Sequence, residues 1–163
     1  MNNYIEIETL YFPIVSLRVE IKVKGDLIEK ISLYQAKILY KKDNKIHTKL
    51  GALAQNFFES YFFKKKTPLF LLPLNWSLVS DFQKKVYKTL ISDVPFGKTI
   101  SYLELAKKIG NPNACRAVGQ ALSKNPWPIV VPCHRVIGKQ NSLGGFSCGI
   151  PIKKLLLQHE NIF

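Results

Sequence analysis

Cys133 and His134 stand side by side in the stretch Pro132-Cys133-His134-Arg135-Val136, directly after the apolar run Pro128-Ile129-Val130-Val131. A thiol is a nucleophile only as its thiolate, and a nearby imidazole is the commonest group to take its proton near neutral pH. An apolar, β-branched run that ends in proline reads as a buried strand delivering the thiol to a pocket wall. Neighbours on extended chain point to opposite faces, so the two side chains are expected to communicate through a bridging water rather than as a tight ion pair. Free cysteine is also among the most buried residue types, and Cys-His alone divides evenly between a core thiol and a catalytic one.

The flanking residues tip that balance. Asn125-Pro126-Trp127-Pro128 leads into the run, Gly144-Gly145-Phe146-Ser147 follows it, and Leu156-Leu157-Gln158-His159-Glu160 comes later. From about Trp76 to Glu160 the pattern resembles the catalytic domain of the O6-alkylguanine-DNA alkyltransferases, also called methylated-DNA-protein-cysteine methyltransferases, with Pro-Cys-His-Arg-Val as its specific part. The resemblance implies repair of double-stranded DNA by direct, irreversible, stoichiometric transfer of an alkyl group from O6-alkylguanine to Cys133, with O4-alkylthymine left open as a second substrate. It implies that Glu160 fixes the His134 ring in a relay through water to Cys133, that Asn125 braces the site's loops, and that the Tyr102 hydroxyl donates to the leaving base. Main-chain groups at Cys133 and Val136 would read the exocyclic amine. Ser147 would offer its N–H to O6 from a loop that also carries Gly145 and Phe146.

The same resemblance places a helix carrying Ala114, Cys115, Arg116, Ala117, Gly119 and Ser123 against the DNA minor groove. Small residues allow close approach to another backbone, although packing on a neighbouring helix would use them equally well. Arg116 favours the duplex, because an arginine there can occupy the space left by a flipped-out base. Cys115 stands where an alanine or other small residue is expected, and Cys148 where the family commonly has glycine or a bulky aromatic.

The elements that must carry these residues follow from pattern. Tyr4-Ile5-Glu6-Ile7, Ile14 to Val23 and Leu27 to Leu33 read as strands of an antiparallel meander, with Lys24-Gly25-Asp26 as a turn and Lys41-Lys42-Asp43-Asn44 as another. Leu50, Leu53, Ala54, Phe57, Phe58, Tyr61 and Phe62 predict a helix over 48–63, stopped by Lys64-Lys65-Lys66-Thr67-Pro68. Residues 68–75 form a connection with room for one short strand. Beyond Trp76, the residues Val79, Phe82, Val86, Tyr87 and Leu90 share a helical face that ends before Pro95-Phe96-Gly97. Ser101 and Glu104 make a capping box, Gly110 stops that helix, and Asn113 is the expected N-cap of the next, over 114–123. The two short helices make a helix-turn-helix candidate. The fold expected is α/β (α+β). An N-terminal sheet-plus-helix domain, residues 1–75, is ribonuclease H-like by resemblance, and a mostly helical DNA-binding and alkyl-acceptor domain spans 76–163.

Composition bounds the partners. A net charge of +13 over 163 residues points to a polyanion. Residues 1–75 hold 12 Lys and Arg against 7 Asp and Glu, and residues 76–163 hold 12 against 4, so the excess is greater in the half with the cysteine motif. The N-terminus lacks the basic start and apolar core of a signal peptide, and no apolar run approaches bilayer length, so an intracellular protein away from membranes is expected. Cys115, Cys133 and Cys148 are an odd set without paired or zinc-ligand spacing, which predicts reduced thiols and no metal. Some family members bind zinc through N-terminal Cys and His, and this chain has no cysteine before 115. No cofactor and no obligate protein partner are expected, so the protein should act as a monomer. Three rivals remain: an alkyltransferase-like lesion binder without transfer, a helix-turn-helix transcriptional regulator, and a thiol hydrolase. The first lacks the motif's cysteine, the second needs no Cys133, His134 and Glu160 together, and the third has no clear oxyanion hole.

Overall fold

The computed structural model describes residues 5–36, 44–63 and 72–163, in two compact units, Met1–Asn75 and Trp76–Phe163. The start of the first expected strand at Tyr4, most of the turn at 41–44, the helix stop at 64–68 and the first part of the 68–75 connection lie outside the described residues.

In the first unit β1 (Ile5–Phe12), β2 (Leu17–Lys24) and β3 (Leu27–Gln35) form an antiparallel sheet in the order β1-β2-β3. Alternation sends Leu17, Val19, Ile21 and Val23 of β2 to the buried face. On β3 the buried residues are Ile28, Ile31 and Leu33, a break in period. A bulge accounts for it: Lys22 pairs with Lys30 but Val23 pairs with Ile28, so Glu29 is the extra residue. β2 begins three residues later than the pattern predicts, because Pro13–Val15 makes a 3-10 turn and Ser16 takes a left-handed φ of +51°. The helix α1 (Lys49–Phe62) lays Ala54, Phe57, Phe58, Tyr61 and Phe62 on the core, with the Phe62 ring centroid 4.5 Å from that of Phe12.

One buried carboxylate joins sheet to helix. Glu8 of β1 is 0% exposed and accepts from the His47 and Thr48 main-chain N–H groups at 2.7 and 2.9 Å and from the Thr48 hydroxyl at 2.7 Å. Thr48 in turn caps α1, its hydroxyl accepting from the Gly51 N–H at 2.8 Å. An anion at a helix N-terminus is favourable in itself.

The second unit contains α2 (Asp81–Asp93), β4 (Ile100–Ser101), α3 (Tyr102–Lys108), α4 (Cys115–Ser123), β5 (Val136–Ile137) and α5 (Ile150–His159). Ser80 and Gln83 form a capping box on α2, and Ser101 and Glu104 form one on α3 as the sequence predicts. α3 ends in a Schellman motif. Gly110, at φ +76°, donates to the Lys107 carbonyl, and Asn111 donates to that of Ala106. α4 departs from expectation: Ala114, not Asn113, is its N-cap, with no side-chain cap. The Ala114 N–H donates to the Asn111 carbonyl, so a local turn sets where the helix begins.

Trp127 is fully buried, with Trp76 and Tyr87 edge-on at centroid distances of 5.1 and 6.4 Å. The Tyr87 hydroxyl donates to the Ala121 carbonyl at 2.6 Å, tying α2 to α4. β4 and β5 form a parallel pair, Ile100 with Val136 and Ser101 with Ile137. That short ladder brings the first residue of α3, Tyr102, beside the segment that carries the cysteine.

Candidate active site

The run before Cys133 is buried as expected, but it is not a strand. Ile129 has a left-handed φ of +73°, and the Val131 N–H closes a turn onto the Trp127 carbonyl at 2.8 Å. Pro132, at φ −80° and ψ 58°, is the centre of an inverse γ-turn in which the Cys133 N–H donates to the Val131 carbonyl at 2.8 Å. Cys133–Arg135 then make a 3-10 turn. Two prolines that cannot donate to a ladder flank the run, which explains the turn. With Cys133 and His134 on a 3-10 turn, the opposite-face argument from extended chain does not apply.

Asn125 holds this turn together. Its amide nitrogen donates to the Val131 carbonyl and to the Cys133 sulfur, both at 3.0 Å, while its oxygen accepts from the Trp127 N–H at 3.0 Å. Cys133 is only 4% exposed. Burial pushes its thiol up to about 12, although the Asn125 hydrogen bond pulls the other way. At rest the sulfur is protonated.

His134 is fully buried, and its Nε2 lies 2.7 Å from Oε1 of Glu160, the C-cap of α5. Arg135, also buried, donates from Nε to Glu160 Oε2 at 2.9 Å and from Nη2 to Oε1 at 3.0 Å, and from Nη1 to the Val94 carbonyl at 2.8 Å. The Gly97 N–H completes the carboxylate's partners at 3.0 Å. Burial alone would raise the Glu160 carboxyl, but the hydrogen bonds and charges of His134 and Arg135 hold it well below the usual range. Burial lowers His134, against the pull of Glu160. The pair is therefore an ionised Glu160 accepting from a neutral imidazole. With Nε2–H committed to the carboxylate, the basic nitrogen of the ring is Nδ1.

Lys153 of α5 is buried, and its ammonium donates to the Val136 carbonyl at 2.6 Å and to the Leu143 carbonyl. Burial pulls it down to about 8, while the Cys133 charge acts in the opposite sense. A cavity of about 310 Å³ opens on the cysteine, lined by Tyr102, Cys115, Gly119, Leu122, Ser123, Cys133, Gly145, Phe146 and Ser147. Tyr102 is raised by burial and then by the Cys133 charge. It fits between two glycines, where an added Cβ at Gly119 would lie 3.7 Å from its ring and one at Gly144 would lie 3.2 Å from its hydroxyl.

The family model for the DNA binding domain of 6-O-methylguanine DNA methyltransferase matches residues 81–162. A crystal structure of the Mycobacterium tuberculosis O6-methylguanine methyltransferase superposes at a TM-score of 0.75 with 31% identity, covering 96% of this chain and 93% of that one. The chain belongs to the O6-methylguanine DNA methyltransferase family. The Pyrococcus kodakaraensis O6-methylguanine-DNA methyltransferase gives 0.74 and 28% identity over 96% and 99% of the two chains. A M. tuberculosis OGT structure in complex with DNA gives 0.74 and 34% over 93% and 90%. The methylated-DNA–protein-cysteine methyltransferase of Methanosarcina acetivorans is 51% identical over 81 residues, 50% of this chain and 51% of that protein. The chain thus spans about half the length of the curated relatives it matches.

Of the residues that the family pattern singles out, Tyr102, Cys115, Gly119, Ser123, Cys133, Gly145, Phe146 and Ser147 meet on one cavity. Asn125, His134 and Glu160 stand behind it, in contact with Cys133 or its turn. Three residues fall elsewhere: Arg116 and Ala117 are exposed on α4 off the cavity wall, and Ala114 is buried at the helix cap. Val136 is not among the lining residues either. Its N–H closes the 3-10 turn onto the Cys133 carbonyl and its own carbonyl accepts from Lys153, so both main-chain groups are engaged within the chain.

Sequence reasoning missed Lys153 and the pairing of Arg135 with Glu160. The signal for Lys153 was present: Ile152, Lys153, Leu156, Leu157 and Glu160 are buried together, so a lysine sits at helical spacing on an apolar face. Among the described residues no helix is long and apolar enough to cross a membrane.

Proposed function

We propose that this protein repairs DNA by transferring the alkyl group of an O6-alkylguanine to Cys133, acting once per molecule. The observation that carries this is Cys133 on the cavity wall, its sulfur held by Asn125 at 3.0 Å and the next residue an imidazole fixed on Glu160 at 2.7 Å. Family membership and the neighbour crystallised with DNA support the substrate class.

A guanine O6 is out of reach inside the stack, so the nucleotide turns out into the cavity, with Arg116 of the exposed α4 face taking its place in the duplex. Ionising a thiol of pKa about 12 unaided at pH 7 would cost about 7 kcal/mol. The proton must therefore leave as the reaction proceeds. Nδ1 of the neutral His134 accepts it through a water, and the ionised Glu160 stabilises the imidazolium that forms. The Asn125 amide and the nearby Lys153 ammonium favour the sulfur's negative charge. As S–C forms and C–O breaks, the Tyr102 hydroxyl donates to the departing guanine and the Ser147 N–H faces O6. The product is a thioether, which water does not attack, so no step restores the thiol.

The test is titration with excess duplex carrying O6-methylguanine. One methyl group per protein, recovered on the Cys133 peptide, is expected; repeated turnover, or no methyl on Cys133, overturns the reading.

A further inference from the structure

The cavity has a second thiol. Cys115, the first residue of α4, lines it together with Cys133, and the two approach from different elements, a helix N-terminus and a 3-10 turn. Cys115 is partly exposed, its sulfur donating weakly to the Pro112 carbonyl at 3.6 Å. Neither cysteine is in a disulfide. Nothing in the proposed transfer uses Cys115, for which a methyl group would serve as well.

We infer that Cys115 and Cys133 act as a pair toward adducts with two electrophilic carbons, so that an O6-(haloalkyl)guanine ends as a bis-thioether bridging the two residues. This rests on the transfer reading above and extends it to a substrate class. In the first step the Cys133 sulfur bonds to the carbon on O6 as the C–O bond breaks, and the electron pair leaves with guanine, which takes a proton. The alkyl chain on Cys133 then carries its remaining carbon–halogen bond inside the cavity. The Cys115 sulfur attacks that carbon, halide departs, and the thiol proton passes to solvent. Without the second thiol the pendant electrophile would face the bound DNA. With it, the reactive carbon is consumed within the protein.

Two probes separate this inference from the reading beneath it. Dibromobimane fluoresces strongly once both of its bromides have been displaced, and it requires no alkyl-transfer activity. The full chain should become fluorescent with one bimane bridge joining the Cys115 and Cys133 peptides. Cys115→Ser should lose that signal and Cys148→Ser should keep it. A bridge to Cys148 instead, or single adducts only, overturns the inference. The second probe is a duplex carrying O6-(4-bromobutyl)guanine. The expected product is the protein plus one butylene group with both thiols consumed. A bromobutyl group left on Cys133, or one closed onto the Cys133 sulfur as a five-membered cyclic sulfonium with Cys115 unmodified, overturns the inference alone, whereas no alkyl on Cys133 overturns the transfer reading as well.

Discussion

Each unit of this chain buries a carboxylate, and the partners differ in kind. Glu8 is held by main-chain N–H groups and a hydroxyl at the start of α1, with no cation paired to it among the described residues. Glu160 is held by a guanidinium, an imidazole and one main-chain N–H. Fixed dipoles can satisfy a charge but cannot exchange a proton with anything. An imidazole can, and with Nε2 on the carboxylate its basic nitrogen is Nδ1. The contrast separates a carboxylate that builds the fold from one that sets a protonation state, although burial alone makes them look alike.

The largest expected effect sharpens that separation by removing the sulfur and leaving both carboxylates intact. Cys133→Ala should abolish transfer completely while binding to lesion duplex persists, read by methyl counting and by gel shift on the same preparation. Residual transfer would place the acceptor elsewhere.

Glu160→Gln should come next. It leaves the Arg135 cation buried without a counter-charge, which typically costs about 3–5 kcal/mol, and it removes the anion that stabilises a protonated His134. Urea denaturation should show the stability loss, and single-turnover kinetics should show slower transfer in the fraction that remains folded. Glu8→Gln breaks the comparison if it behaves the same way. It should cost only about 1–3 kcal/mol, because an amide can accept but leaves its own NH2 facing donors. Transfer by the folded protein should not change.

The Glu160 cluster should also respond to pH through two of its members. His134 is depressed in the folded state, so the unfolded chain binds the proton more readily. Its contribution is present above the ordinary imidazole value of 6.5 and lost as pH falls through and below it. Glu160 is likewise depressed, and its contribution is lost at lower pH, below the ordinary carboxyl value of 4.5. Stability measured by urea at pH 7 and at pH 5.5 should therefore fall, and the fall should shrink in His134→Gln. An identical fall in that variant would mean that another group carries it.

Much of the molecule could be read from its residues, and the parts that could not share a cause. The β2 strand announces itself by alternation, and α3 by Ser101 and Glu104, because those signals are local. The pairing of His134, the neighbour of Cys133, with Glu160 was legible from motif and resemblance. The turn at 128–131 was not: an all-apolar run has no period, and nothing local shows that Ile129 takes a left-handed conformation. Lys153 depends on carbonyls at Val136 and Leu143, and Arg135 on a carboxylate near the end of α5, so long-range contacts decide both. Ser80 and Gln83 are the exception, a local capping signal as plain as the one at Ser101 that went unread.

The smallest effects test whether the Glu8 cluster is as tightly built as its hydrogen bonds suggest. A Cβ at Gly51 would lie 2.4 Å from the Glu8 carboxyl carbon, and that carboxylate is pinned by three donors rather than free to swing aside. Gly51→Ala gains about 1 kcal/mol of helix propensity, but crowding a filled site costs about 1–3 kcal/mol and also strains the hydrogen bonds. A net loss of stability is expected. Gly145, on the cavity wall of the other unit, has nothing within 4 Å of an added Cβ and no left-handed φ. Gly145→Ala should therefore move stability by no more than about 0.5 kcal/mol, read by the same urea titration. Equal effects at the two glycines would mean that Glu8 can move, and its cluster would then be a loose staple rather than the fixed counterpart of Glu160.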